Sequence, residues 1–130
     1  MNGPRGKGGD RRRKLGAAGE KFAAQYLSSA GLRVVERNWR CALGEVDLIA
    51  QQGETLIFVE VRTRSASSAG RFGAPEQSVD ERKQRKLRTL AQTYMIQCRI
   101  GDVPVRFDVV AIWLGPADEL IHLAHYEEAF

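Results

Sequence analysis

Two acidic residues stand in sequence surroundings where acids are costly. In Gly44-Glu45-Val46-Asp47-Leu48-Ile49-Ala50 the twofold alternation of a strand puts Glu45, Asp47 and Ile49 on one face. In Leu56-Ile57-Phe58-Val59-Glu60-Val61-Arg62-Thr63 it groups Phe58, Glu60 and Arg62 opposite Ile57, Val59 and Val61. The segment around Glu60 is apolar on both faces, the mark of a central strand covered on both sides. An ionised carboxylate there must be paired or must bind a cation. Either Arg62 and other basic residues neutralise Asp47 and Glu60, or the two acids hold a metal. Carboxylates converging from neighbouring strands are hard oxygen donors and suit Mg²⁺ or Mn²⁺. Such an ion activates water and offsets the charge that develops on a phosphodiester.

Glu20 is a second oddity. On a helical wheel Lys21, Gln25 and Ser28 form the polar wedge, whereas Glu20 falls among Ala17, Ala23, Ala24 and Leu27. It is either a third acid turned toward the sheet or an acid at the stripe's edge meeting solvent or an arginine. Farther on, Arg82, Lys83, Arg85, Lys86 and Arg88 place five basic residues within seven. A run of this kind is usually a solvated helix face. Lys83, however, lies one turn before Leu87 and close to the buried stripe, and with Arg62, Arg64 and Arg71 it could line a phosphate-tracking surface. Arg106 and Asp108 share a strand face and read as a structural ion pair. His122 and His125 lack partners at zinc spacing, and Trp39 and Trp113 read as packing residues.

The elements that must position these groups follow from periodicity and punctuation. A helix is expected over Leu15–Ala30, stopped by Gly31. Strands follow at Leu32–Arg40, Glu45–Gln51 and Thr55–Arg64, the last two joined by a Gln52-Gly53 turn into an antiparallel hairpin. Residues 65–77, small and interrupted by glycine and proline, read as a loop. A second helix runs from Ser78, which has capping-box spacing to Glu81, to about Gln97, with Leu87, Leu90, Ala91 and Tyr94 on one face. A strand at Val105–Leu114 and an extended segment near Ile121–His125 complete an α-β-β-β-α-β order, an α/β domain with a mixed sheet.

At 130 residues with 43% hydrophobic content, the chain has the size of one domain and can bury a core. Its longest apolar run, Val109–Leu114, is far short of the roughly 18 residues that cross a membrane. Cys41 and Cys98 have no metal or redox spacing, and no signal peptide is visible, so a cytoplasmic protein is expected. The net charge of +4 is unevenly spread: residues 1–14 carry +5 and the other 116 carry −1. Residues 1–14 therefore read as a flexible basic arm, either phosphate-seeking or merely solubilising, and 15–130 as a single domain.

Taken together, Gly16-x-x-Gly19-Glu20, Arg37-Asn38-x-Arg40, Gly44-Glu45-Val46-Asp47-Leu48-Ile49, Phe58-Val59-Glu60-Val61-Arg62-x-Arg64, Lys83 and Arg106-Phe107-Asp108-Val109-Val110 resemble the bacterial YraN-like family in order and spacing. That family is similar to archaeal Holliday-junction resolvases, within the restriction-endonuclease-like superfamily. The resemblance implies a restriction-endonuclease-like core, with Glu20, Asp47 and Glu60 as metal ligands helped by the Val61 carbonyl. It makes Asp47, Glu60 and Arg62 the catalytic set and implies a homodimer. Position 62 is where the superfamily usually has a lysine; this chain has Arg62, which can stabilise negative charge but cannot accept a proton.

The function expected is a Mg²⁺- or Mn²⁺-dependent phosphodiester hydrolase acting on DNA, including branched DNA, with Arg64, Arg71, Lys83 and Lys86 contacting nucleic acid and no membrane involved. The alternative is a nucleic-acid-binding protein whose nuclease site has decayed, with Arg62 in its favour. A third reading is an interaction module in which the acids and arginines are simply paired.

Overall fold

The computed structural model describes residues 7–66 and 79–130. Its elements are α1 (Lys7–Ser29), β1 (Arg33–Cys41), β2 (Gly44–Gln52), β3 (Thr55–Ser65), α2 (Glu81–Gln97), β4 (Val105–Leu114) and β5 (Leu120–Tyr126). The five strands form one sheet in the order β1-β2-β3-β4-β5. Neighbours are antiparallel except β3 and β4, which run parallel from Leu56↔Val105 to Ser65↔Leu114. A parallel pair needs a long crossover, and α2 lies within it. The expected α/β architecture with a mixed sheet is what forms, with β5 as a full fifth strand.

Alternation along β3 decides where the core sits. Ile57 and Val59 join Leu48, Ala50, Val110 and Ile112 beneath α1, where Ala23, Ala24 and Leu27 are completely buried. Phe58 joins Ile49, Phe107 and Val109 beneath α2, against Leu87, Leu90, Ala91 and Tyr94. Both faces of β3 are thus covered, and Glu60, on the Phe58 side, is only 6% exposed. Trp113 is buried and Trp39 packs edge-on against Tyr94, with ring centres 5.2 Å apart, as packing residues should. Among the described residues no helix is long and apolar enough to cross a membrane.

Beyond one-residue shifts at the end of α1 and in several strands, three boundaries differ from those read in the sequence. The helix α1 begins at Lys7, eight residues before Leu15. Its register is already fixed by packing at Ala23–Leu27, so adding arginines and lysines, good helix formers, at its front needs no new nucleation. The β2–β3 turn is Gly53-Glu54, because Gln52 still pairs with Thr55, and the left-handed φ of +59° falls on Gly53. The cap of α2 is Asp80, whose carboxylate accepts the Lys83 N–H at 2.8 Å. Ser78 and Arg71 lie outside the described residues. The Gly31 stop holds: φ is +93° and the Leu32 N–H closes on the Leu27 carbonyl at 3.0 Å.

Gly19 sets how closely α1 lies on the sheet. A Cβ at this position would stand 2.8 Å from both Cβ and Cγ2 of Thr63 on β3. Gly19→Ala is therefore expected to lower stability by about 1–3 kcal/mol in urea melts, since the helix must lift off or Thr63 must move. Adding Thr63→Ala should recover part of that loss; a Gly19→Ala protein as stable as wild type would contradict the close approach.

Candidate metal and nucleic-acid site

Backbone pairing between β2 and β3 ends at Leu48↔Val59. Beyond it the Val61 N–H is taken by the Asp47 carboxylate instead, Oδ2 accepting at 2.8 Å. In a strand the N–H and C=O of one residue point to the same side, so the Val61 carbonyl is directed toward the same gap. The opening is a cavity of about 350 Å³ lined by Glu45, Asp47, Glu60, Val61, Lys83, Lys86, Leu87 and Leu90. Glu20, from α1, does not line this cavity but lies near enough for its charge to raise Asp47. Thus β2, β3 and α2 meet at one place, with α1 beside it.

The charges there are unequally balanced. Glu60 Oε2 lies 3.3 Å from Arg62 Nε and 3.6 Å from Lys83 Nζ, so its partners come from its own strand and from the first turn of α2. Asp47 differs. Burial pushes its carboxyl up to about 8, the charge of Glu60 adds to the rise, and the Val61 hydrogen bond opposes it without prevailing. Glu20 is also raised, by burial first and then by the charge of Glu45, with the polar side chains of Asn38 and Asp47 opposing the rise. Of the two explanations open from the sequence, pairing with Arg62 accounts for Glu60 but leaves Asp47 among the negative charges of Glu60, Glu20 and Glu45.

In kind, that donor set suits Mg²⁺ or Mn²⁺: every candidate ligand is an oxygen, and the cavity leaves room for water and a phosphate oxygen. Magnesium commonly binds through one or two carboxylates and keeps its waters, so a closed protein cage is not required. Asp47 and Glu60 would hold the ion, with Glu20 and the Val61 carbonyl nearby.

In the metal-free protein the raised carboxyl gives stability a definite pH slope. The folded state keeps a proton that the unfolded chain, with its carboxyl near 3.8, releases. Stability should therefore fall as pH rises from about 4 to about 8, by on the order of a few kcal/mol, and Asp47→Asn should flatten the slope. Denaturant midpoints measured across this range would show it; midpoints that do not change with pH would contradict it.

The other expected contacts are distributed around the cavity. Lys86 is exposed at its rim, and Gly44 approaches its side chain. Arg64 is exposed farther along β3, on the alternation of Glu60 and Arg62. Glu45 was not among the candidates although it shares a face with Asp47. It lines the cavity, raises both Asp47 and Glu20, and pairs with Arg40 at 2.7 Å. Asn38, with a φ of +52°, lies near enough to Glu20 to oppose its rise. Strand alternation could have found Glu45, and the motif Arg37-Asn38-x-Arg40 contained Asn38 without giving it a role.

Among the described residues, the group that brings three ligand atoms within 4.8 Å of one another is not the acids of the cavity but Asp108, His125 and Glu127. Its cation is already present. Arg106 donates to both Asp108 oxygens at 2.9 Å and lies 3.2 Å from Glu127, while His125 Nε2 is 2.7 Å from Asp108. The structural ion pair expected between Arg106 and Asp108 therefore forms.

Comparison with known proteins places the chain among relatives. The model of "Uncharacterised protein family UPF0102" matches residues 19–112, a span that contains Glu20, Asp47, Glu60 and Lys83. A UPF0102 protein of Moorella thermoacetica is 44% identical over 119 residues, covering 92% of this chain and 97% of its own length. One from Rhodococcus opacus is 44% identical over 116 residues (89% and 95%), and one from Methylococcus capsulatus is 47% identical over 109 (84% and 85%). With near-complete coverage in both directions, the resemblance carried by the motifs is borne out: this chain belongs to the family UPF0102.

Proposed function

We propose that this protein is a Mg²⁺- or Mn²⁺-dependent phosphodiester hydrolase acting on DNA. The observation that carries the reading is that Asp47 and Glu60, from adjacent strands, line one cavity that Lys83 enters from α2, with the charge of Glu20 on α1 close enough to raise Asp47. A bound divalent ion would supply charge neutralisation and an activated water. Asp47 and Glu60 would hold that ion, and Val61 fixes Asp47 through its N–H. Arg62 and Lys83 face the charge that grows on the phosphate as the bond to the leaving oxygen breaks. Lys83 bears on the departure at position 62: an ammonium stands 3.6 Å from Glu60 even though the strand carries arginine. Lys86 and Arg64 offer phosphate contacts on either side.

The test is cleavage of labelled DNA by purified protein in Mg²⁺ or Mn²⁺, compared with Lys83→Ala. Removal of one preorganised donor should slow cleavage by about 10²- to 10³-fold while leaving the fold unchanged. Cleavage unaffected by Lys83→Ala would remove Lys83 from the site. A second reading, a nucleic-acid-binding protein without catalysis, is favoured by Arg62, a permanently charged group already engaged with Glu60. DNA binding that falls steeply with salt, with no cleavage in either ion, would select it.

A further inference from the structure

Alternation fails at one level of the sheet, on two strands at once. In a regular strand, residues two apart share a face. On β2, however, Leu48 packs beneath α1 and Val46 beneath α2. Their cross-strand partners on β1 are Arg37 and Trp39, and Trp39 packs beneath α2 with Val46. Between these two pairs lie Asn38 and Asp47. Asn38 has a φ of +52°, and among the described residues it is the only non-glycine with a left-handed φ that lies inside a strand. Asparagine tolerates that region, whereas a β-branched residue in it is an outlier. Pairing of β1 with β2 continues past this level through Arg40↔Glu45 and Cys41↔Gly44, the first reinforced by a 2.7 Å ion pair. The two strands therefore turn over together.

We propose that Asn38 is the positioning residue of Asp47: its left-handed backbone turns β1 over between Arg37 and Trp39, β2 follows because the strands stay paired, and the Asp47 side chain swings from the face of the sheet into its plane, toward β3. The Asp47 contact agrees with this direction. Ladder N–H groups lie along the sheet, perpendicular to the strands, so a carboxylate that accepts one must be directed along the sheet too. Asp47 Oδ2 accepts the Val61 N–H at 2.8 Å, just past Leu48↔Val59, where β2–β3 pairing ends. A regular β2 would keep Val46 on the Leu48 face and Asp47 on the Ile49 face, above the apolar layer beneath α2. The placement of Asp47 stands on the fold alone; that it prepares the carboxylate for a divalent ion rests on the reading proposed above.

The test uses full-length protein with Asn38→Gly, which keeps a left-handed φ at no steric cost, and Asn38→Val, which opposes it. Amide hydrogen exchange at Val61 is followed in metal-free protein against Val110 on β4 as an internal reference, and Mn²⁺ affinity is measured by calorimetry. Asn38→Gly should match wild type in both. Asn38→Val should speed exchange at Val61 relative to Val110 by about tenfold, the scale of one lost hydrogen bond. It should also weaken Mn²⁺ binding by about 10- to 100-fold, the cost of losing a group that orients a ligand. Asn38→Ala, which also prefers a negative φ, should move both readouts in the same direction and replaces Asn38→Val should that protein not fold. Wild-type exchange and affinity in Asn38→Val, or equal losses in Asn38→Gly and Asn38→Val, would overturn the inference. The expected exchange pattern in proteins that bind no Mn²⁺, even with DNA present, would uphold the placement of Asp47 and overturn the metal reading.

Discussion

Alanine at Asp47 or at Glu60 should reduce metal-dependent DNA cleavage by about a thousandfold or more, the scale for removing a group on which the reacting centre depends. The two substitutions should leave the protein folded, for different reasons. Asp47 is a buried carboxyl already pushed up to about 8 by burial and by the charge of Glu60, so its removal relieves a cost in the metal-free state. Glu60→Ala removes the carboxylate that Arg62 and Lys83 share. Their side chains are 28% and 40% exposed, so solvent can compensate for much of the loss. Circular dichroism should thus be unchanged in variants that do not cut, and neither a raised protein concentration nor a change from Mg²⁺ to Mn²⁺ should restore wild-type rates. Undiminished cleavage by both variants would remove the acids from the chemistry.

The largest loss of stability is expected at a different carboxylate. Asp108 is completely buried and accepts hydrogen bonds from Arg106 Nε and Nη2 at 2.9 Å and from the Glu128 N–H at 3.1 Å. His125 Nε2 lies 2.7 Å away on the other side. With the His125 proton on Nε2, Nδ1 accepts from the Tyr26 hydroxyl at 3.0 Å, which ties α1 to β5. Asp108→Ala leaves Arg106, with a side chain 14% exposed, without its main partner and should cost about 3–5 kcal/mol. Burial alone would raise the Asp108 carboxyl, but the hydrogen bonds from His125, Arg106 and Glu128 hold it below its ordinary 3.8. Its contribution is therefore present above about pH 4 and lost as pH falls through the folded-state value. Urea melts should show the deficit at neutral pH, together with a flatter acid limb in Asp108→Asn. A cost under about 1 kcal/mol for Asp108→Ala would mean that the network adds little to the apolar packing that holds α1 on the sheet.

What the sequence reveals and conceals follows from the range of each interaction. Twofold alternation placed Glu60 with Phe58, and the apolar run Val109–Leu114 marked the greater part of β4, whose bounds are Val105–Leu114. Both are local patterns, repeated by every residue of the strand. The start of α1 was concealed because Gly8 and Gly9 look like a linker, while the packing that sets the helix register lies some 15 residues later. At α2, Ser78 and Asp80 both offer a capping oxygen within three residues, and only the bond to Lys83 distinguishes the observed cap. The Tyr26–His125–Asp108 chain joins residues up to 99 positions apart, beyond any spacing rule. Asn38 stood in the motif Arg37-Asn38-x-Arg40, but its left-handed backbone and its place beside Glu20 follow no periodic pattern.

The claim that the acids form a divalent-cation site is tested most directly by titrating Mn²⁺ and Mg²⁺ calorimetrically into metal-free protein near pH 7, in two buffers of different ionisation enthalpy. A carboxyl that titrates at about 8 must give up its proton when an ion binds, so the heat should depend on the buffer. The expected result is about one ion per chain, accompanied by proton release, with both signals lost in Asp47→Ala and binding lost in Glu60→Ala. Binding that survives both substitutions, or no binding even with DNA present to complete the coordination, would contradict the assignment.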